Sequence, residues 1–296
     1  TAKNFQLRKR EYGYYFHNEV TARDNLTLSG GYRHDRAEYA FTPGTPEEVT
    51  ADEDTFTTGI NYGFLGGSHI YASFAKSFRY PVLDEYFSFF TNTVSTTLMP
   101  QRSDNFEIGV SHDITERISA QVNLFRIDTE QEIFYNANSF ANENLDGETR
   151  RDGVEISVTA SPIDEVTLKA SYTFLDATVR GGQFKGNDIP GVARRKATAS
   201  VVVNPWEGVS IALNGHYVGE RPFISDFDKR FVNQESYTVL DTKVTYNWKR
   251  MTAFFNVNNI TDEEYSEYGV LGGFPTEMAF YPSPDRNFLF GVSVEY

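Results

Sequence analysis

The last stretch of the chain alternates between apolar and polar side chains. Apolar residues recur at every second position, at Phe288, Phe290, Val292, Val294 and Tyr296. Alternate residues of an extended chain share one face, so this stretch predicts a strand with one apolar and one polar face.

The same period of two recurs along the whole chain. It is clearest at 118–124, where Ile118, Ala120, Val122 and Leu124 alternate with Ser119, Gln121 and Asn123. Counting such stretches gives about thirteen strands. The pattern therefore predicts an all-β protein with an antiparallel sheet.

The connections between these strands are alternately short and long. Short polar turns are predicted at 21–25, 65–68, 113–116, 161–164, 204–208 and 249–250. Long loops are predicted at 42–54, 78–102, 136–147, 181–191, 220–235 and 261–284. The segment 42–54 is acidic and contains proline, so we expect an exposed loop there rather than a strand.

This rhythm favours a transmembrane β-barrel over a soluble β-sandwich. A barrel of the outer membrane has short turns on the periplasmic side and long loops outside the cell, whereas a sandwich has no reason to separate them. Trp206 and Trp248 each lie beside a short turn, where an interfacial girdle of aromatic residues would pass. The alternative reading is that both are ordinary core tryptophans.

The alternation also predicts which side chains of a barrel face lipid and which face the lumen. The residues expected to face lipid are Val122, Leu124, Val158, Leu168 and Leu213. The residues expected to face the lumen are Gln121, Asn123, Ser157, Lys169 and Asn214.

Composition narrows the function without contradicting a barrel. The chain has no cysteine, which excludes a disulfide framework and thiolate chemistry, and its net charge of −14 opposes binding to nucleic acid. No apolar stretch reaches the ~18 to 20 residues of a membrane helix, but a barrel strand needs only about ten, half of which face water. The mean hydropathy of −0.46 therefore does not decide between a soluble and a membrane protein.

Four stretches of the chain carry motifs that can be compared with those of known families. They are Ser77–Phe87, with Phe-Arg, a proline and Leu-Asp-Glu-Tyr; Arg102–Gly109, with Phe-Glu-Ile-Gly; Asn256–Tyr265; and Tyr281–Phe288. In these motifs and in their order, the chain resembles the TonB-dependent receptors of the Gram-negative outer membrane. The resemblance implies that residues 1–296 correspond to the C-terminal segment of a larger barrel, closed by about 22 strands, whose plug domain lies outside this chain.

The same resemblance implies a function. Members of this family take up scarce nutrients across the outer membrane, energised through TonB by way of the plug, and a ferric siderophore is the first expected substrate, with cobalamin next. The final alternating strand, Phe288 to Tyr296, resembles the signal read by the barrel-assembly machinery. The expected surroundings are outer-membrane lipid, and no nucleic acid is expected as a partner.

Candidate ligand contacts are aromatic residues in two predicted loops. They are Tyr86, Phe87, Phe89 and Phe90 in 78–102, and Tyr265, Tyr268 and Phe274 in 261–284. Apolar rings on an exposed loop cost solvation free energy unless they pack or meet a ligand. The alternative is that they pack against the plug or a neighbouring loop.

The sequence offers no catalytic motif, metal site or cofactor site. The five histidines lack the spacing of a metal site and none lies in a nucleophile motif, so we expect no enzyme. Two other classes stay open. A passive porin shares every barrel feature, and an outer-membrane hydrolase would need a histidine converging with serine or aspartate.

Overall fold

The computed structural model describes residues 5–272 and 276–295, which form an almost entirely β-structure. The strands are β1 (Gln6–Arg23), β2 (Leu26–Thr42), β3 (Glu48–Leu65), β4 (Ser68–Arg79), β5 (Phe87–Ser88), β6 (Thr93–Val94), β7 (Gln101–Thr115), β8 (Ile118–Glu130), β9 (Ile133–Asn136), β10 (Ala141–Asn144), β11 (Thr149–Ile163), β12 (Val166–Val179), β13 (Arg195–Trp206), β14 (Val209–Val218), β15 (Tyr237–Trp248), β16 (Met251–Asn258), β17 (Ser266–Gly272), β18 (Glu277–Pro282) and β19 (Asn287–Val294). A 3-10 helix spans Leu83–Tyr86. Among the described residues, no helix is long and apolar enough to cross a membrane.

Thirteen strands form one antiparallel sheet, which confirms the predicted fold class and strand count. Their order is β1-β2-β3-β4-β7-β8-β11-β12-β13-β14-β15-β16-β19. Every main-sheet strand pairs with the main-sheet strands before and after it in the chain, so successive connections lie at opposite ends of the sheet. In the described part of the chain β1 and β19 are the two edges and do not pair with each other.

The register divides the sheet into two continuous faces. On β8, β11 and β12, Leu124 lies opposite Val154, and Val154 lies opposite Phe174. The face that carries these residues also carries Val122, Val158, Leu168 and Leu213, and we call it the apolar face. Gln121, Asn123, Ser157, Lys169 and Asn214 lie on the opposite face, which we call the polar face. The predicted division of these ten residues between two faces is confirmed.

The two ends of the sheet differ as the sequence predicts. One end carries six two-residue turns, at 24–25, 66–67, 116–117, 164–165, 207–208 and 249–250. The other end carries the longer connections, at 43–47, 80–100, 131–148, 180–194, 219–236 and 259–286. We refer to them as the turn end and the loop end.

The prediction of a loop at 42–54 is wrong for most of these residues. Only 43–47 is a loop, because β3 begins at Glu48 and pairs with β2 throughout 48–54. The acidic side chains are stabilised in the strand by cations: Arg102 Nη2 lies 2.6 Å from Glu53 Oε1, and Arg36 Nη1 lies 3.4 Å from Asp52 Oδ1. Acidic composition predicts a loop here, but the ion pairs that Asp52 and Glu53 form across strands stabilise a strand instead.

The first three strands extend far beyond the thickness of a membrane. They contain 18, 17 and 18 residues, or close to 60 Å at about 3.3 Å per residue, whereas a spanning strand needs only about ten. Their loop-end halves therefore extend beyond the membrane into water. The Arg102–Glu53 and Arg36–Asp52 ion pairs lie in that part of the sheet.

Two glycines on the polar face allow aromatic rings to lie across neighbouring strands. A Cβ atom on Gly153 would lie 2.1 Å from Phe125 Cζ, and one on Gly109 would lie 2.4 Å from the Tyr71 ring. Each ring covers the backbone of the adjacent strand. Substituting either glycine would require the ring to move.

Candidate functional site

At the loop end of the polar face, most of the buried apolar side chains of the described residues form three clusters. The clusters are Ala37, Tyr39, Phe41, Tyr80, Tyr86 and Leu98; Leu145, Ala177, Val179, Ile189 and Phe227; and Ala193, Val218, Tyr237 and Val239. In each cluster the strand residues belong to the polar face and the others come from long loops. The long loops therefore fold back over the polar face instead of extending away from the sheet.

The loop 80–100 is fixed to β2 by tyrosine side chains. Tyr39 Oη donates to the carbonyl oxygen of Pro81 at 2.8 Å, and Tyr80 Oη donates to that of Asp35 at 2.9 Å. The Tyr86 ring lies 4.8 Å from Phe41 and is 1% exposed. Burial raises the pKa of Tyr86 to about 12, since a phenolate loses its hydration there.

The structure divides the predicted aromatic run into packing residues and exposed residues. Tyr86 is a core residue that a ligand arriving from solvent does not reach, so the packing alternative applies to it. Phe87 is partly buried, with its ring 5.1 Å from Phe5 and 4.8 Å from Phe89. Phe89 is 82% and Phe90 71% exposed. These last two stay candidate ligand contacts.

Loops 80–100 and 131–148 form one unit. Asn142 Nδ2 donates to the Glu85 carbonyl at 3.2 Å, and Asn144 Nδ2 donates to the Met99 carbonyl at 3.0 Å. The Phe90 and Phe140 rings stack with their centroids 4.0 Å apart. Phe90 is therefore presented by both loops together, a juxtaposition of distant residues that the sequence pattern does not contain.

An ion cluster joins loops 180–194 and 219–236. Asp188 receives Arg194 Nη2 at 2.6 Å and Lys229 Nζ at 3.0 Å. Burial alone would raise the pKa of Asp188, but the hydrogen bonds from Lys229 and Arg194 hold that pKa below its ordinary value. The Asn187 side chain adds a 2.7 Å bond to the Phe227 carbonyl.

Arg221 is the buried cation of the loop end, and sequence reasoning missed it. Its side chain is 5% exposed, and Nη2 donates to the carbonyl oxygens of Ser266 at 2.7 Å and Glu267 at 3.1 Å. The guanidinium carbon lies 5.4 Å from the centroid of the Tyr237 ring. In the described residues, Arg221 Nη1 and Gln234 Oε1 have no hydrogen-bond partner.

A pocket of ≈460 Å³ opens beside these residues between loops 219–236 and 259–286. Tyr237 and Tyr265 line it, with ring centroids 4.5 Å apart, together with Gln234. A second pocket of ≈560 Å³ lies next to it, beside Arg194 and Asp188. Both volumes fall in the range of about 300–1,000 Å³ typical of small-molecule sites.

The three predicted aromatics of the last loop have different positions. Tyr265 lines the pocket. Tyr268 is 47% exposed and lies edge-on to Tyr281, outside the pocket lining. Phe274 lies outside the described residues. The structure thus brings one predicted aromatic, Tyr265, together with Arg221, Gln234 and Tyr237, which no motif singled out.

Comparison with known proteins decides the family. The sequence profile described as "TonB dependent receptor-like, beta-barrel" matches residues 1–260. The chain belongs to the TonB-dependent receptor family. This match confirms the resemblance seen in the sequence motifs and makes the thirteen-stranded sheet part of a TonB-dependent receptor barrel.

Individual relatives agree with the family match. The ferrichrome outer membrane transporter/phage receptor of Escherichia coli K12 is 25% identical over 269 residues, which cover 84% of this chain and 35% of that protein. The closed form of the ferric-catecholate import receptor Fiu from the same bacterium has a TM-score of 0.77 at 20% identity, over 99% of this chain and 45% of that one. The copper transporter OprC has a TM-score of 0.81 at 16% identity, over 96% and 47%. The chain thus spans about a third of the first relative and just under half of the other two.

Family membership gives the two faces their environments. In an outer-membrane barrel the apolar face contacts lipid and the polar face lines the lumen, and the long loops lie on the outer side. The pockets of this TonB-dependent receptor barrel therefore lie over the lumen at its outer end. The described residues contain no plug domain.

Membrane-interface aromatics and the assembly signal stay predictions, although the positions of most of these residues agree with them. Trp206 is 71% and Trp248 52% exposed, and both lie on the apolar face at the turn end. Phe288, Phe290, Val292 and Val294 share the apolar face of β19, where they pair with β16. Tyr296 lies outside the described residues.

The structure contains one serine–histidine contact that bears on the hydrolase alternative. Ser68 Oγ lies 2.9 Å from His112 Nδ1, but Ser68 is 2% exposed and accepts the backbone N–H of Asp113 at 3.2 Å beside a turn. A buried serine held in this way serves the turn and offers no attack on a substrate. No cluster of three metal-binding side chains occurs within residues 5–272 and 276–295.

Proposed function

We propose that this chain forms the C-terminal part of the barrel of an outer-membrane receptor that takes up a ferric siderophore, energised through TonB. The observation that carries the proposal is the pocket beside Arg221, Tyr237 and Tyr265. It has aromatic walls, with Arg221 buried behind Tyr237, and it opens at the outer end of the barrel. The tyrosine rings suit a ligand with flat or aromatic groups, which stack on them.

Two relatives support the cargo class. The ferrichrome transporter and the ferric-catecholate receptor are named for iron complexes, and both align over most of this chain. A cobalamin receptor of this family would have the same barrel. Cobalamin is therefore the second candidate.

A passive porin is the alternative that the exposed polar face favours. Gln121, Ser157 and Asn214 are exposed on that face, as the wall of a water-filled channel would be. A porin needs no aromatic pocket over its lumen, however, and would transport without saturation or energy. Active uptake accounts for the pockets as well as for the polar wall.

The test compares a Gram-negative strain lacking the gene for the intact receptor with the same strain carrying it. We expect the gene to confer saturable uptake of radioactive iron from one member of a panel of ferric hydroxamates, catecholates and citrate. That uptake should stop when TonB is deleted or the proton gradient is collapsed. Uptake of labelled cobalamin and of copper(II) is measured in the same strains.

Each other outcome assigns a different function. Uptake of labelled cobalamin or copper without any iron complex would move the cargo to that class. Non-saturable uptake that survives TonB deletion would make the protein a porin. Hydrolysis of a supplied ester or peptide by the purified receptor would contradict the expectation that it is no enzyme.

A further inference from the structure

The last loop, 259–286, is strongly acidic. It contains a single cation, Arg286, whose Nη2 lies 3.6 Å from Asp262 Oδ2. Its six carboxylates are Asp262, Glu263, Glu264, Glu267, Glu277 and Asp285. Six negative charges and one positive charge give this loop a net charge of −5.

The pocket between loops 219–236 and 259–286 collects part of this charge. Glu235, Glu263 and Glu264 line it, and no lysine, arginine or histidine of the described residues does. The adjoining pocket is lined by two arginines and two carboxylates, so its charges balance. The first pocket therefore has charges of one sign only on its described walls.

The three carboxylates of this pocket are not neutralised by neighbouring side chains. Within residues 5–272 and 276–295, none of the three forms an ion pair. Carboxylates of other long loops are paired: Glu85 lies 2.9 Å from Arg79, and Glu132 lies 2.6 Å from Arg151. The pocket thus keeps a negative charge that a cationic ligand would neutralise.

Arg221 does not reverse the sign of this charge. It lies behind Tyr237, with its guanidinium carbon 5.4 Å from the ring centroid, and is not part of the pocket lining. Its Nη2 donates to the carbonyl oxygens of Ser266 and Glu267. One buried cation behind the wall and three carboxylates on the wall leave the site negative.

The uncharged part of the lining also suits a cation. Gln234 lines the pocket and is 5% exposed, and its Oε1, which only accepts hydrogen bonds, has no partner in the described part of the chain. Tyr237, Tyr265 and Phe280 add aromatic rings, whose faces attract cations. An ammonium group on a carbon chain would donate to the amide oxygen and the carboxylates while its carbon atoms contact the rings.

We propose that this pocket binds an ammonium group carried by the siderophore, and that the receptor therefore selects cationic ferric complexes over neutral and anionic ones. The inference rests on the proposed function, since it takes the cargo to be a ferric siderophore. An anionic complex, such as a ferric tris-catecholate or ferric citrate, would bring its own negative charge up to the three carboxylates. The same carboxylates would attract a cationic complex from solution and speed its association.

The test begins with the uptake panel of the proposed function, extended by linear ferric tris-hydroxamates that end in an ammonium group. We expect the transported iron complex to carry such a group. Its affinity for the purified intact receptor is then compared with that of the same complex after acetylation of the ammonium group, which removes the charge and keeps the iron centre. Acetylation should raise the Kd about tenfold, the effect of losing one hydrogen bond between charged groups.

Two double variants locate the effect. Glu235→Gln with Glu264→Gln removes two exposed carboxylates from the pocket lining. Glu267→Gln with Glu277→Gln is the matched control, because both residues are exposed carboxylates of the last loop that lie outside the lining. The first variant should lose the preference for the ammonium form over the acetylated form, and the control should keep it. A purely structural role of Glu235 and Glu264 would weaken binding of both forms equally and leave the preference intact.

Several outcomes would overturn the inference. Uptake of a neutral or anionic iron complex in place of an ammonium-bearing one would do so and leave the proposed function standing. Equal affinity for the free and acetylated complexes would have the same meaning, as would a preference retained by the Glu235→Gln, Glu264→Gln variant. Failure to take up any iron complex would overturn the proposed function and this inference with it. If the pocket variant does not fold, the comparison of the two complexes on the unaltered receptor decides.

Discussion

Single side chains decide how the loops of this protein dock on its sheet. Arg221 reaches two carbonyl oxygens of the last loop, and Tyr39 reaches one of loop 80–100. Each of these residues joins segments that are more than 40 positions apart. Such contacts form because the fold brings distant residues together, and no local sequence motif predicts them.

Replacing Arg221 with methionine should loosen the last loop. The substitution keeps apolar bulk but leaves the carbonyls of Ser266 and Glu267 without their buried donor, at a cost of about 1.5–3 kcal/mol. We expect faster amide hydrogen exchange over β17. Arg230→Met is the control, because Arg230 is 59% exposed and pairs only with Asp228. Unchanged exchange in the Arg221→Met variant would show that β17 docks without this arginine.

Replacing Phe89 and Phe90 together with alanine should weaken ligand binding by the intact receptor. Each ring that becomes fully buried on binding contributes about 1.5–3 kcal/mol. Because both rings are largely exposed without ligand, the free energy of unfolding should change little. Titration with the transported ligand measures the first effect and thermal unfolding the second. Tyr135→Ala, a 42% exposed aromatic of the neighbouring hairpin, is the control, and unchanged affinity in the double variant would exclude these rings from the site.

At the scale of elements, strands and loops respond to different forces. The strands are placed by their alternation, which divides them between lipid and lumen. The loops are placed by ion pairs and small buried clusters. We therefore expect the destabilisation caused by a substitution in a strand to depend on its depth in the membrane. We expect the docking of the loops to depend on pH.

An arginine at Leu213 should destabilise the barrel far more than one at Asn214. Leu213 lies in the middle of β14 on the apolar face, where a charge costs about 2–4 kcal/mol, and Asn214 is exposed on the polar face. Unfolding in lipid vesicles measures both costs, and equal values would contradict the assignment of faces. Asn123 would be a poor comparison, because it is 8% exposed and receives a hydrogen bond from Tyr71.

Acid should loosen loop 180–194. The pKa of Asp188 is lowered in the folded protein, so its ion pairs stabilise the loop fully above the ordinary value of 3.8. That contribution is lost as the pH falls below 3.8 and passes through the lowered pKa that Asp188 has in the folded protein. Protection factors of the loop amides, which correct for the pH dependence of intrinsic exchange, should fall between pH 5 and about pH 3. Asp188→Asn should show low protection at both pH values; equal protection in the two proteins at pH 5 would contradict the prediction.

At the scale of the whole molecule, the sheet formed by the described residues is open. The outer strands β1 and β19 each present a row of unpaired backbone groups. In hydrocarbon each such group costs several kcal/mol, so both edges need partner strands. The relatives, of which this chain covers half or less, are long enough to supply them.

Residues 1–296 expressed alone should therefore fail to form a stable barrel. After refolding into detergent or lipid, we expect no heat-modifiable band in gel electrophoresis, because the two edges stay unpaired. The intact receptor, refolded in the same way, is the control and should give one. A compact band from the isolated segment would mean that β1 and β19 can close on each other.

The sequence alone determined the thirteen strands of the main sheet, their faces and the alternation of turns and loops, but not the six short strands inside the long loops. The alternation of apolar and polar residues can be read from neighbouring positions alone. It is regular because one face of each strand contacts lipid and the other contacts water. The one large error, at 48–54, arose where cross-strand ion pairs outweighed an acidic composition.

Only the tertiary structure decided the site. Tyr86 and Phe90 belong to the same run of aromatics, yet one is buried against Phe41 and the other is exposed beside Phe140. The pocket beside Arg221 is assembled from loops 219–236 and 259–286. Such contacts depend on the register between strands and on how the loops fold back over the sheet. Both are set by interactions between residues far apart in the chain, so no single stretch of sequence predicts them.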